Sequence, residues 1–237
     1  GLILGVVMTI ASNLQQIGLV TTSAGKAGFI TSLYIVFVPV IGLLVRRRPH
    51  PMLWVSVLIA LVGLYFLSIR GDFSMSAGDL YVLACAVVFA FQILLVDHYS
   101  PKVDIIRLNC IQFSVMAVLS SVPMLLFEQP KLAAVSDAWV TIVYAGLVSG
   151  CGAYTLQMLG QRRVEPTTAS LLLSPENVFA ALAGWAILGQ KLTARELAGC
   201  ALVFAAIVTS QLPWGRWLAK KPTPAKAQAE EAAQAEA

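Results

Sequence analysis

The chain has 237 residues, 58% hydrophobic and 12% charged, with a mean hydropathy of +0.80. An ordinary soluble domain carries about 25% charged residues, and no water-soluble fold of this size hides so much apolar surface. The composition excludes a soluble enzyme and predicts an all-α integral membrane protein. The net charge of +4 does not mark a nucleic-acid binder, because the basic residues sit in short joints and at the tail.

Apolar runs of membrane length follow one another, separated by short polar joints. They cover residues 1–20, 27–45, 51–69, 79–96, 105–127, 138–159, 167–189 and 195–212, which predicts eight transmembrane helices. After Pro213 the segment WGRWLAKK reads as an interfacial aromatic and basic anchor. The remainder, PTPAKAQAEEAAQAEA, reads as a polar low-complexity tail. Gly1 opens inside an apolar run with no cleavable secretory signal, so further helices are expected ahead of it.

Orientation follows from Lys and Arg placement. With the tail in the cytoplasm and the helices alternating, the inside joints hold Arg46, Arg47, Arg48, Lys102, Arg107, Arg162, Arg163 and four tail cations. The outside joints hold Lys26, Arg70, Lys131, Lys191 and Arg195. That is eleven against five of the sixteen Lys and Arg. The bias predicts a multi-pass protein of the cell (inner) membrane with a cytoplasmic C-terminus.

The layout repeats. Gly5 falls over Gly146 and Gln16 over Gln157, and the later joints align at an offset of about 141 to 143 residues. The predicted units are residues 1–70, the last three helices of a first copy; 77–212, a five-helix second copy; and 213–237, the tail. The implied parent has ten helices, five plus five. Five is odd, so the copies lie in opposite orientations, a recurrent transporter plan.

Residues Pro166–Gln190 are the richest stretch. Glu176 and Asn177 sit near mid-span, with Pro175 directly before them. A carboxylate there costs about 2.5–3.5 kcal/mol or more unless it meets protein, water or a partner. Pro175 removes a backbone donor and disfavours helix at Ser174, so a hinge is expected there, and a second one at Pro39. Other polar groups within spans should also avoid lipid. They are Asn13 with Gln16, Tyr34, Gln92, Asn109 with Gln112, and Tyr154 with Gln157. The candidate substrate cavity is therefore lined by Glu176, Asn177, Gln157, Tyr154, Gln16, Asn13, Tyr34, Gln92 and Gln112. Gly146 with Gly150, and Ala180 with Gly184, are small-xxx-small pairs expected to allow close helix packing.

No catalytic pattern accompanies them: there is no Ser/His/Asp set, no HExxH and no Walker loop. Cys85, Cys110, Cys151 and Cys200 form no CxxC pair, and His50 and His98 stand alone. No enzyme activity, metal or cofactor is expected. The expected partners are a small-molecule substrate, the lipid bilayer and protons as coupling ion. The sequence is compatible with a monomer or a homodimer.

QQIGLVTTSAGKAGFITSLYIVFVP (Gln15 to Pro39) and LLLSPENVFAALAGWAILGQKLT (Leu171 to Thr193), followed by ELAGCALVFAAIV, resemble bacterial EamA-type members of the drug/metabolite transporter superfamily. The likeness runs to about Leu212, and it departs at Gln190, where the family often has Glu. The resemblance implies ten helices, cytoplasmic termini, a central cavity between the repeats, and export or exchange of small metabolites. Amino acids, related compounds and drugs all fit. A lipid flippase, a non-transporting scaffold and an inactive transporter fragment are the competing classes.

Overall fold

The computed structural model describes residues 1–46, 49–69, 76–127, 132–189 and 193–212. The tail from Pro213, and Arg47, Arg48, Arg70, Lys131, Gln190 and Lys191, lie outside the described residues. Every regular element among the described residues is helical. In chain order they are α1 (Leu2–Leu19), α2 (Ala24–Ser32), α3 (Tyr34–Leu44), α4 (Pro51–Ser68), α5 (Ala77–Tyr99) with a 3₁₀ turn at Ser100–Lys102, and α6 (Ile105–Phe127). Then come α7 (Leu132–Asp137), α8 (Trp139–Tyr144), a π-helical stretch Ala145–Ala153, α9 (Tyr154–Gln161), α10 (Pro166–Leu173), α11 (Pro175–Leu188) and α12 (Ala194–Gln211).

Among the described residues, seven helical spans are long and apolar enough to cross a membrane: Leu2–Leu19, Ala24–Leu44, Pro51–Ser68, Ala77–Lys102, Ile105–Phe127, Trp139–Gln161 and Pro166–Ile187. The eighth expected helix is present as α12, but Arg195 and Glu196 in its first turn lower its apolar character, and it is not among the seven.

Local chemistry starts these helices where the sequence changes. Ser76 and Asp79 form a capping box on α5, and Thr193 and Glu196 form one on α12, each satisfying backbone donors that a helix start leaves open. Pro51, Pro166 and Pro175 stand in first turns, where the missing N–H costs nothing.

Two spans are interrupted. Ser174 separates α10 from α11, directly before Pro175, and Leu33 separates α2 from α3. At both points the backbone tightens: Leu33 N donates to Ile30 O at 3.1 Å, and Ser174 N to Leu171 O at 3.2 Å, three residues back instead of four. The positions are 141 residues apart (174 − 33). Pro39, the other expected hinge, lies buried within α3, and the interruption falls six residues ahead of it. Proline cannot donate to the carbonyl four residues back, here Ile35, yet α3 continues through it.

The largest buried cluster gathers Ile35 and Val38 of α3, Val57, Ala60 and Leu64 of α4, Ala90 of α5, Leu171 of α10 and Val203 of α12. At its centre α4 and α12 cross in contact and run antiparallel. A Cβ on Gly63 would lie 2.9 Å from Gly199 O, and one on Gly199 would lie 2.8 Å from Leu67 N. Both contacts are backbone, so only glycine permits this approach. Every buried residue of α12 maps, 143 positions earlier, onto a buried residue of α4: Glu196 onto Leu53, Gly199 onto Ser56, Cys200 onto Val57, Val203 onto Ala60 and Ala206 onto Gly63.

Of the expected pair Gly146 and Gly150, a Cβ on Gly146 would meet nothing within 4 Å, whereas one on the buried Gly150 would meet the Phe113 ring at 3.4 Å. Residues 139–149 are exposed, and Ala180 also lies on an exposed face. The expected helix over 138–159 is α8, the π-helical stretch and α9 in succession.

Candidate functional site

The two interrupted spans meet at their breaks. Asn177, in the first turn of α11, donates its Nδ2 to Ser32 Oγ, at the end of α2, at 2.7 Å. Gly28, one turn before Ser32, makes room: a Cβ there would lie 2.6 Å from Asn177 Oδ1. Tyr34 opens α3 and Tyr154 opens α9, and both lie within electrostatic reach of Glu176. Cys85 of α5 lies within reach of Tyr154, whose ring sits edge-on to Phe113 at 5.3 Å between centroids.

The sequence thus brings four of its candidates, Glu176, Asn177, Tyr34 and Tyr154, to one place. Two half-helix N-termini, those of α3 and α11, converge there. The first turn of a helix favours negative charge, and Glu176 occupies that of α11. Its side chain is exposed, on a face it shares with Phe179, Ala180 and Ala183. A carboxylate facing lipid at mid-span costs about 2.5–3.5 kcal/mol or more, which favours water or further protein against this face.

The other candidates are more dispersed. Asn13 donates to Thr9 O at 2.8 Å and to Ser120 Oγ at 3.3 Å, joining α1 to α6. Gln16 lies on the exposed face of α1, and its neighbour Gln15 turns inward to donate to Thr31 Oγ1 at 3.2 Å. Gln157 is half-buried. Gln92 and Gln112 are deeply buried and bond to each other, Nε2 to Oε1 at 2.8 Å. Asn109 donates to Thr155 Oγ1 at 2.9 Å and to Gly150 O, inside the π-helical stretch, at 3.2 Å. Pro175 is half-buried at the α10–α11 break.

A cavity of about 270 Å³ opens between α3, α5, the start of α10 and the joint before α4, lined by Val38, Gly42, Pro49, Leu94, Glu165, Pro166 and Thr167. It lies at the end carrying Arg46, Arg162 and Arg163, not at Glu176. Its deepest α3 residue, Val38, is one turn from Tyr34, about 6 Å of helix rise. A second hollow, lined by Gly1–Leu4, Tyr99 and Ile111, carries none of the candidate side chains.

One polar cluster escaped the sequence reading. Lys26 pairs with Asp79, whose side chain is fully buried and also accepts from Thr22 Oγ1 at 2.9 Å and from Ser76 N at 2.6 Å. The pair ties the α1–α2 joint to the start of α5. At the same end, the Arg195 guanidinium lies over the Tyr65 and Phe66 rings, 5.2 and 5.5 Å from their centroids. The capping motif Ser76-x-x-Asp79 was the available signal.

Residues 76–210 match the profile of the EamA-like transporter family. A protein of Archaeoglobus fulgidus named as an uncharacterized transporter is 32% identical over 213 residues, covering 90% of this chain and 68% of that protein. One solved crystal structure superposes with a TM-score of 0.76 at 19% identity, covering 86% of this chain and 74% of the other. At that identity the second likeness is one of fold.

Proposed function

Because the chain belongs to the EamA-like transporter family, we propose that it exports or exchanges small metabolites by alternating access between two inverted halves. One observation carries this reading: two interrupted helices, one from each expected half, are joined at their breaks by the Asn177–Ser32 bond beside Glu176. The 141-residue spacing of the breaks and the 143-residue correspondence of buried positions in α4 and α12 support two related halves. The antiparallel crossing of α4 and α12 supports their inversion.

In this reading the parent has ten helices, with the C-terminus in the cytoplasm of an inner membrane. The relatives extend beyond the matched region, and further helices pack on the exposed faces of α6, α8–α9 and α11. Glu176 either binds a cationic or amino group of the substrate or carries the proton exchanged for it. Tyr34 and Tyr154 lie within its electrostatic reach. The N-terminus of α11 suits a carboxylate, so a zwitterionic amino acid or related compound matches both features.

The test is uptake in liposomes by this chain, alone and with two helices restored ahead of Gly1, using labelled amino acids and cationic drugs with and without a pH gradient. Flux that follows the gradient and loses that response in Glu176→Gln is the expected result. Flux in Glu176→Gln unchanged in size and pH response removes both roles of the carboxylate. Absence of flux for every compound removes the reading as a carrier of these solutes.

A further inference from the structure

The cavity of about 270 Å³ at the basic end of the bundle holds none of the groups gathered around Glu176, and its walls are chemically divided. One side is apolar: Val38 of α3, Leu94 of α5, Pro49 in the joint before α4 and Pro166 of α10, with Gly42 adding no side chain. The polar side comes from one short stretch, Glu165 with Thr167. The volume lies just below the roughly 300–1,000 Å³ of pockets for drug-sized ligands, so it suits a smaller solute.

The polar side serves both signs of charge. Glu165 is the N-cap of α10, in extended backbone, yet its side chain makes no capping bond. It is exposed and forms no ion pair among the described residues, which leaves its carboxylate open to a cation. Pro166 follows with no N–H, and the first backbone bond of α10 runs from Ala169 N to Glu165 O at 2.8 Å. The N–H groups of Thr167 and Thr168 precede that bond, so the helix itself gives them no acceptor. A helix start of this kind favours an anion. Thr167 adds a second, independent sign of a ligand. It lines the cavity, is only 6% exposed, and its hydroxyl makes no hydrogen bond among the described residues. The bond it receives, from Ser170 Oγ at 2.8 Å, ends on its backbone carbonyl. A buried hydroxyl without a partner is costly, and an acceptor brought by a ligand would satisfy it.

We propose that this cavity binds a small zwitterion with an apolar side chain, an amino acid of about the size of leucine. Its ammonium meets the Glu165 carboxylate, its carboxylate meets the Thr167 hydroxyl and the start of α10, and its side chain lies against Val38, Leu94 and Pro166. A simple anion is repelled by Glu165, and a wholly apolar molecule leaves both polar groups unmet. The site is separate from Glu176. Tyr34, Val38 and Gly42 follow one another at one-turn spacing along α3, and the fully buried Val38 closes the cavity floor toward Tyr34. The proposal rests on the proposed function only for its purpose, which is to load the carrier from the end with the basic joints.

The test reads binding and needs no transport. Leu94→Cys puts a thiol on the cavity wall. Its modification by a small maleimide is followed site by site by mass spectrometry in detergent, with the exposed Cys110 as reference and the buried Cys85 and Cys200 as reporters of the fold. Pro49→Cys gives the same reading from the opposite wall should Leu94→Cys unmask either reporter. Leucine at millimolar concentration is expected to slow the introduced thiol several-fold and to leave Cys110 unchanged. Glu165→Gln is expected to abolish that protection and Glu176→Gln to keep it. Absence of protection by leucine up to its solubility overturns the site, and protection that survives Glu165→Gln overturns the role of its carboxylate. Leucinamide, which lacks the carboxylate, and isocaproate, which lacks the ammonium, are expected to protect weakly; equal protection by either overturns the zwitterion. Protection by leucine without leucine flux in liposomes leaves the site standing and removes the carrier reading instead.

Discussion

Asp79 shows what a single side chain is made to do at the end of this bundle. Its carboxylate is removed from solvent and held by Lys26, by Thr22 and by the Ser76 backbone. Breaking such a pair by deleting one partner costs about 3–5 kcal/mol, because a buried charge is left without its counter-ion. Lys26→Met is therefore expected to lower the unfolding midpoint in detergent substantially. Lys26→Met with Asp79→Asn should recover much of the loss, since an amide keeps the capping bonds without the charge. A thermal or denaturant series on the two single variants and the double variant closes the cycle. Stability of Lys26→Met equal to wild type would mean the pair is not a structural tie. The Asn177–Ser32 bond is smaller: interhelical polar bonds in a membrane protein average about 0.6 kcal/mol, so Ser32→Ala should barely move stability. A large change in transport with a small change in stability would place that bond in the working site; loss of both together would make it scaffold.

At the scale of elements, the contact between α4 and α12 is the least forgiving. The atoms that would meet a Cβ on Gly63 or Gly199 are largely backbone, and backbone cannot turn aside. Gly63→Val should cost about 1–3 kcal/mol by overpacking, whereas Gly146→Val, into open space, should cost little. Equal melting points for the two would remove the claim that this crossing sets the bundle. The same elements show how much the sequence disclosed. The spans and the Ser174 break were legible because apolar length and an X-Pro step act locally. The Leu33 break was not, because Pro39 signals six residues too late and nothing at Leu33 itself breaks a helix. The pairing of Gly63 with Gly199 was equally hidden, since a small-xxx-small search looks along one helix and these glycines come from two. Gln15 was recoverable: it continues the buried stripe Leu4, Met8, Ala11 and Gly18 at helical spacing, and Gln16 does not. The alignment of Gln16 with Gln157 outweighed that stripe in the sequence reading, though the stripe is the more direct physical signal.

At the scale of the whole molecule, the exposed faces are the unresolved business of the fold. Over 18 residues of each span, only 6% are buried in Ile105–Phe127 and Trp139–Gln161, against 44% in Ala24–Leu44 and Ala77–Lys102. Apolar exposure alone is what lipid accepts, but Glu176 lies on the α11 face beside this region, and lipid does not accept it. The native cysteines report on the two regimes. Cys85 and Cys200 are buried; Cys110, on α6, and Cys151, in the π-helical stretch, are exposed. A small membrane-permeant maleimide should modify Cys110 and Cys151 quickly in the folded chain and reach Cys85 and Cys200 only on unfolding. If ten helices form the working unit, adding the two preceding helices should slow modification of at least one of the exposed pair while leaving Cys85 and Cys200 protected. Unchanged rates at both Cys110 and Cys151 would mean that those helices pack elsewhere, and that the face beside Glu176 is filled by water. Equal rates at all four cysteines in the unextended chain would mean that the α4–α12 core does not hold without them.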